Sequence, residues 1–342
     1  GSNKALPFLL SGLKKLEYRG YDSSGVCVKE NAGFYLVKKP GKVSELEKNI
    51  DRETVLGTIG IAHTRWATHG VPNEKNAHPH ADCTGRIAIV HNGIVENYQA
   101  LKELLVREGH KIISDTDSEI IAHLIEKFNQ GNVEEATMRA LKLVEGAYGL
   151  AILDKNSNVM ITARKSSPLV LGIGQGENFI ASDVSAILGH TKNVVYLDDG
   201  EMAVMTKDSY VVKKLNGESV DKKVHQIAMT IDQIEKRGFK HFMLKEIFEQ
   251  PEAIENTLRG RLKDGLVRLS LANVDFAKIR RIIITACGTS YYSSLIGKYL
   301  IEKIAQIPVE ADYASEFRYR DPLISETDLV IAISQSGETA DT

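Results

Sequence analysis

The chain has 342 residues, 43% of them hydrophobic and 26% charged, with a formal net charge of −2. That length is about twice a usual single domain, so two domains, each with a core of its own, are expected. No basic field is present to hold nucleic acid or an anionic membrane surface, and no signal-peptide pattern or long apolar run marks export or a bilayer span. The expectation is a cytoplasmic protein that binds small molecules, with no nucleic acid and no membrane.

In chain order, residues 4–18 carry apolar positions at helical spacing, and "RGYDSSG" (19–25) ends that helix with glycines and an Asp-Ser turn. Short apolar or alternating runs follow, "GVCVKE", "GFYLVKK", "TIGIAHTRWA" and "RIAIVHNGIV", separated by Gly, Pro and Asn; these predict strands. Helices are expected around 97–108, 118–129 and 133–144, and strand character returns from "GLAILD" through "EMAVMT". Helices grouped between two sets of strands predict layered α+β packing. After about residue 220 the chain becomes charged and helical in period, and from 279 it changes to strand, Gly turn, helix, strand, the start of a doubly wound parallel sheet. Cys27, Cys83 and Cys287 fit neither a disulfide framework nor a zinc site by spacing, and no metal is expected. Cys27 alternates with valines and reads as core, whereas Cys83 sits in a polar turn with no motif around it.

Two groups of residues carry chemistry. "IAHTRWATHG" (61–70) places His63, Arg65, Trp66, Thr68 and His69 at the end of a predicted strand. The planar guanidinium of Arg65 suits a carboxylate, and "SDTDSE" (114–119) offers Asp115 and, better placed, Asp117 for an ammonium; each acid also reads as a helix cap. In "VHNGIV" (90–95), Asn92 and Gly93 can present two N–H donors to an oxyanion, although Asn-Gly is also a strong hairpin signal. In the second group, "TACGTSYYSS" (285–294) and "ISQSGETADT" (333–342) each follow an apolar strand with small hydroxyl residues and glycine, a pattern that surrounds phosphate at a helix N-terminus.

"LEYRGYDSSG", "HTRWATHG", "HNGIVEN" and "SDTDSE", in this order, resemble the glutaminase domain of the N-terminal-nucleophile amidotransferases, and most closely the members that aminate fructose 6-phosphate. The paired "CGTS" and "SQSGET" loops resemble the sugar isomerase (SIS) domain that those members carry. The resemblance implies a four-layer αββα fold followed by SIS-type α/β structure, over 1–220 (glutaminase), 221–245 (linker) and 246–342 (first SIS subdomain). It implies that glutamine is held by Arg65 at its α-carboxylate and Asp117 at its α-ammonium, with Thr68 and His69 lining the pocket. Asn92 and Gly93 would form the oxyanion hole, Trp66 would gate ammonia, and Arg19 with the following "GYDSSG" would support the nucleophile. His63 and His91 would be structural. Thr289, Ser290, Ser334, Gln335, Ser336 and Thr339 would bind fructose 6-phosphate, with Cys287 and Gly288 shaping the first loop. "HFMLKEIFEQP" (241–251) would join the two halves near a homodimer contact, and no organic cofactor is implied.

In that family the nucleophile is an N-terminal cysteine whose own α-amine is the base. No cysteine precedes the first helix here, so the expectation is a chain that lacks the nucleophile and most of the isomerase domain, binds glutamine poorly and hardly hydrolyses it. The alternatives are another type 2 glutamine amidotransferase or a non-catalytic SIS-type sugar-phosphate sensor.

Overall fold

The computed structural model describes the chain except residues 32, 67–69, 228–238, 259–260, 264–265, 268–273 and 335–341 and the side chains of Arg19 and Lys263. Two compact units divide between Val267 and Arg268. The first begins with α1 (Ala5–Leu16), β1 (Ser23–Glu30), β2 (Gly33–Pro40), α2 (Val43–Glu47), β3 (Ile59–Arg65), β4 (His80–Ala81) and β5 (Ile87–Val95). It continues through α3 (Tyr98–Arg107), α4 (Glu119–Phe128) and α5 (Val133–Leu141) to β6 (Gly146–Asp154), β7 (Met160–Lys165), β8 (Val170–Ile173), β9 (Asn178–Ala181) and β10 (Asn193–Tyr196). It closes with β11 (Glu201–Met205), β12 (Tyr210–Lys214), β13 (Ser219–Val220), β14 (His225–Gln226), α6 (Phe242–Leu258) and a hairpin of β15 (Leu262–Lys263) and β16 (Leu266–Val267).

Strand alternation decides the layering. In β1, Val26 and Val28 face Leu6, Leu10 and Leu13 of α1 and Val43 and Leu46 of α2. Cys27, between them, faces the other way and packs with Ile61, Ala88, Val90, Ala151 and Leu153. In β5 the same alternation sends Ile87 and Ile89 towards Leu105, Ile120, Ile121 and Leu124 of the helices, and Ala88 and Val90 towards β1 and β3. A strand apolar on both faces must be covered on both. The result is four layers, α1 and α2 outside, then β2-β1-β3 alongside β14-β10-β8-β9, then β13-β12-β11-β7-β6-β5-β4, then α3, α4 and α5. This is the αββα arrangement. Cys27 is core as expected, and burial pushes its thiol far above the ordinary value.

Three expected helices after residue 97 are present within a few residues of their predicted ends, because their apolar faces carry the period strongly. Sequence pattern passed over α2, β12 and the edge strand β13, which are short and take their order from pairing with neighbours. α6 has no buried residue among its 17 and contains Pro251; Phe242, Met243, Ile247 and Phe248 of "HFMLKEIFEQP" are all exposed.

The second unit holds β17 (Arg281–Ala286), α7 (Thr289–Ala305), β18 (Val309–Tyr313), α8 (Ala314–Tyr319) and β19 (Asp328–Ile333). Its sheet runs β18-β17-β19 with both pairs parallel, the predicted start of a doubly wound fold. Ile282, Ile284 and Val309 form its core with Ile301, Leu329 and Ile331. Arg281 donates through Nε and Nη2 to the two carboxylate oxygens of Asp328, at 3.2 and 2.6 Å. That fork, with the N–H of Ser325, holds the Asp328 carboxyl at about 2 and pins the strand starts together.

Candidate active site

β1 is central to its sheet, and its register sets Ser23 opposite Arg65, Ser24 opposite Thr64 and Gly25 opposite His63. Arg65 therefore ends β3 at the edge of two packed layers, buried to 4% exposure. Burial lowers its guanidinium pKa, while the negative charges of Asp117 and Asp22 oppose that. Its Nη2 donates to the carbonyl of Gly70 at 3.4 Å, and the backbone N–H of Asp22 donates to its carbonyl at 3.1 Å. Asp22, part of the "GYDSSG" stretch that the resemblance sets with Arg19 in support of the nucleophile, is thus the second acid facing Arg65.

Asp117 is buried to 3% exposure, and its Oδ2 accepts from the N–H of Val95 at 2.7 Å. The segment that carries it is anchored from both sides. Glu119 at the start of α4 accepts from the N–H of Ile113 at 2.8 Å and of Ser114 at 2.5 Å. Buried Asn76 accepts from the N–H of Asp115 at 2.9 Å and donates to the carbonyl of Val71 at 3.0 Å. Asp115 itself is exposed and paired with Lys75 at 3.2 Å, so of the two acids only Asp117 turns inward to Arg65. Neither acid is the cap of α4, whose N-cap residue is Ser118. Ser118 instead meets His91, Oγ to Nδ1 at 2.8 Å, and His91 Nε2 reaches the carbonyl of Ala147 at 3.2 Å. His91 is the packed histidine that the sequence suggested.

The hairpin reading of Asn92-Gly93 is overturned. Both residues lie inside β5, in register with Gly149 and Tyr148 of β6. No turn is present because both flanking runs belong to one strand whose partner comes from a later segment. Gly93 has φ of +149°, and a Cβ there would stand 2.0 Å from the carbonyl oxygen of Ala147. Gly93→Ala is expected to lower unfolding free energy by about 3 kcal/mol, the sum of backbone strain and overpacking. Urea unfolding of the two proteins measures it, and a difference below about 1 kcal/mol would contradict the close approach.

Trp66 is 50% exposed, and its ring meets that of Tyr21 edge-on at 5.7 Å. Gly20 approaches closely, since a Cβ there would lie 2.8 Å from the Trp66 nitrogen. Thr68, His69, the Arg19 side chain, Gln335, Ser336 and Thr339 lie outside the described residues. His63 is packed against His78 at a ring-centroid distance of 4.4 Å, and His78 against His80 at 4.6 Å. His78 and His80 are buried at 4% and 2% exposure. Burial, then neighbouring imidazoles and cations, hold all three rings below their usual pKa, His63 at about 3. Of the three, sequence singled out only His63, because His78 lies in an irregular segment and His80 opens a two-residue strand, too short for a periodic signal.

A cavity of about 880 Å³ opens between the layers, lined by apolar side chains of α1, β3 and β9 and reaching Thr64, His63 and Asn92. Its size suits a small organic ligand or an apolar segment. In the second unit, Ala286 is in register with Ile333, so Cys287 and Ser334 leave adjacent parallel strands at the same sheet edge. Gly288, at φ +58°, turns the chain from β17 into α7, whose first residues are Thr289 and Ser290. The two loops named from sequence start side by side, where the first N–H groups of α7 are unsatisfied by the helix.

Comparison with known proteins fits these features. Residues 63–189 match the glutamine amidotransferase domain family and residues 275–342 the SIS domain family. All of the chain aligns with glutamine–fructose-6-phosphate aminotransferase (isomerizing) of Chlorobaculum tepidum at 52% identity and with that of Aquifex aeolicus at 49%. The chain carries a glutamine amidotransferase domain and a SIS domain, and along its whole length it is similar to these aminotransferases. It spans 58% and 57% of the length of those two relatives. Among solved structures, the glutamine phosphoribosylpyrophosphate amidotransferase from B. subtilis is similar at a TM-score of 0.57 and 21% identity, covering 91% of this chain and 64% of that one. At that identity the likeness shows the fold alone. Among the described residues, no helix is long and apolar enough to cross a membrane.

Proposed function

We propose that this chain is the glutamine-hydrolysing part and the first stretch of the isomerase part of an enzyme that makes glucosamine 6-phosphate from glutamine and fructose 6-phosphate. The observation that carries the reading is the buried guanidinium of Arg65 facing the buried carboxylate of Asp117, which is tied to β5, the strand that carries Asn92 and Gly93. Buried opposed charges that face each other suit the two ends of a free α-amino acid, and the side chain of such a ligand would extend towards Asn92. In this reading Arg65 binds the α-carboxylate, Asp117 the α-ammonium, and Thr68 and His69 complete the pocket. Asn92 and Gly93 stabilise the tetrahedral oxyanion formed when the family's N-terminal cysteine attacks the amide, and Arg19 supports that cysteine. Trp66, with Tyr21 against it, gates the released ammonia. Thr289, Ser290, Ser334, Gln335, Ser336 and Thr339 bind the phosphate and hydroxyls of the ketose. We assign 1–220 to glutamine hydrolysis, 221–245 to the connection and 246–342 to the sugar-binding part. A cytoplasmic homodimer, with the apolar residues of α6 near the contact, completes the proposal.

The test is the coupled reaction in a version with the full length of the relatives. Glutamate and glucosamine 6-phosphate should form in equal amounts, each dependent on both substrates; glutamine consumption with no amino sugar would refute the assignment. Arg65→Lys keeps the charge but loses the planar fork, so KM for glutamine is expected to rise about 10–100-fold with a smaller change in kcat. An unchanged KM would remove Arg65 from the carboxylate site.

A further inference from the structure

Four side chains far apart in sequence converge away from the site above. Cys83 lies in the turn between β4 and β5, His110 follows α3, and His123 and Glu126 stand one turn apart on α4. One ligand atom from each falls within 4.8 Å of all the others. The Cys83 Sγ is 3.4 Å from His123 Nδ1 and 3.8 Å from His110 Nδ1. Glu126 Oε2 is 3.0 Å from His110 Nδ1 and 3.4 Å from His123 Nδ1. In a tetrahedral zinc site, bond lengths of ~2.0–2.3 Å place neighbouring ligand atoms about 3.3–3.6 Å apart. These edges scatter about that value.

The surroundings point the same way. The outer nitrogen of His123, Nε2, lies 3.3 Å from Glu119 Oε1. With its N–H on Nε2, donated to Glu119, His123 aims the lone pair of Nδ1 at the cluster; this carboxylate–histidine pairing orients metal-bound imidazoles. Without a cation, that Nδ1 lone pair would face Glu126, an acceptor. The backbone N–H of Lys111 donates to Cys83 Sγ at 3.2 Å. One thiolate and one carboxylate balance a divalent charge. We propose that Cys83, His110, His123 and Glu126 bind one zinc ion in a closed, structural site. The ion would clasp the β4–β5 turn, the end of α3 and α4. Through Glu119, which also accepts from the N–H groups of Ile113 and Ser114, it would steady the segment that leads to Asp117.

The experiment uses the 342-residue protein stripped of metal with a chelator and titrated with Co(II), then Zn(II). Expected are one Co(II) per chain with tetrahedral d–d bands and a thiolate-to-cobalt charge-transfer band, and displacement of both by Zn(II). Cys83→Ser should abolish the charge-transfer band, and Glu119→Gln should weaken binding about 10–100-fold. In the unaltered protein, Zn(II) should slow alkylation of Cys83, followed by peptide mapping, while that of Cys287 is unchanged; this arm does not depend on any variant folding. Absence of stoichiometric binding, a cobalt spectrum without the thiolate band, or Cys83 alkylation indifferent to Zn(II) would each overturn the site.

Discussion

Asn92→Ala in a full-length enzyme is expected to lower kcat for glutamine hydrolysis about 10²–10³-fold while leaving KM within a factor of a few. The split follows from position. Arg65 and Asp117 would hold the parts of glutamine that do not react, so binding survives the change. An oxyanion exists only along the path to the tetrahedral state, so its donor acts on kcat. The fold makes this a clean substitution: Asn92 is a mid-strand residue whose backbone pairs with Gly149, and alanine keeps that pairing. Steady-state glutaminase kinetics on the variant supply the answer. A fall in kcat below tenfold, or a loss carried wholly by KM, would remove Asn92 from the oxyanion role.

Acid should weaken the first unit from about pH 6.5 downward, well above the range in which carboxylates titrate. His78 and His80 are buried, and the folded state holds both rings below the pKa of about 6.5 that they regain on unfolding. For a group whose folded pKa is depressed, the unfolded chain binds the extra proton. Stability is therefore fully present above the unfolded value and declines as pH falls below it, by about 1.4 kcal/mol per pH unit for each such ring. Neither nitrogen of His78 has a hydrogen-bond partner among the described residues, so the neutral ring is held by packing alone, and no acceptor stands ready for a proton. His63, at about 3, adds to the effect, although it lines the cavity and is less completely enclosed. Urea midpoints measured between pH 8 and pH 5 should fall steadily below pH 6.5. His78→Leu should flatten the slope by about one proton. A midpoint independent of pH across that window would contradict the burial of neutral imidazoles.

How much of this was legible beforehand varies with the kind of signal. The helix of residues 5–16 and the three helices after Asn97 showed their apolar periods plainly, and the alternation in β1 and β5 already required cover on both faces. The change of pattern near residue 279 marked the parallel sheet. Short elements such as α2 and β13 carried too few residues for a period to register.

By itself, the amino-acid sequence determined which chemical groups are available and what local structure bears them: a guanidinium at a strand end, an acid before a helix, small hydroxyl residues after apolar strands. It left open whether Asn92-Gly93 was a turn, and it preferred Asp117 to Asp115 without showing what turns one inward and the other out. It also left Cys83 without company. Only the tertiary structure decided these points, because each depends on segments distant in the chain meeting across packed layers. β6 pairs with β5 and places the Asn-Gly step inside a strand. Asn76 draws Asp115 to the surface side while Val95 takes Asp117 inward. α4, laid on β5 by its apolar face, carries His123 and Glu126 to Cys83. Periodicity reports how a segment meets the core; it carries no information about which other segment will be waiting there.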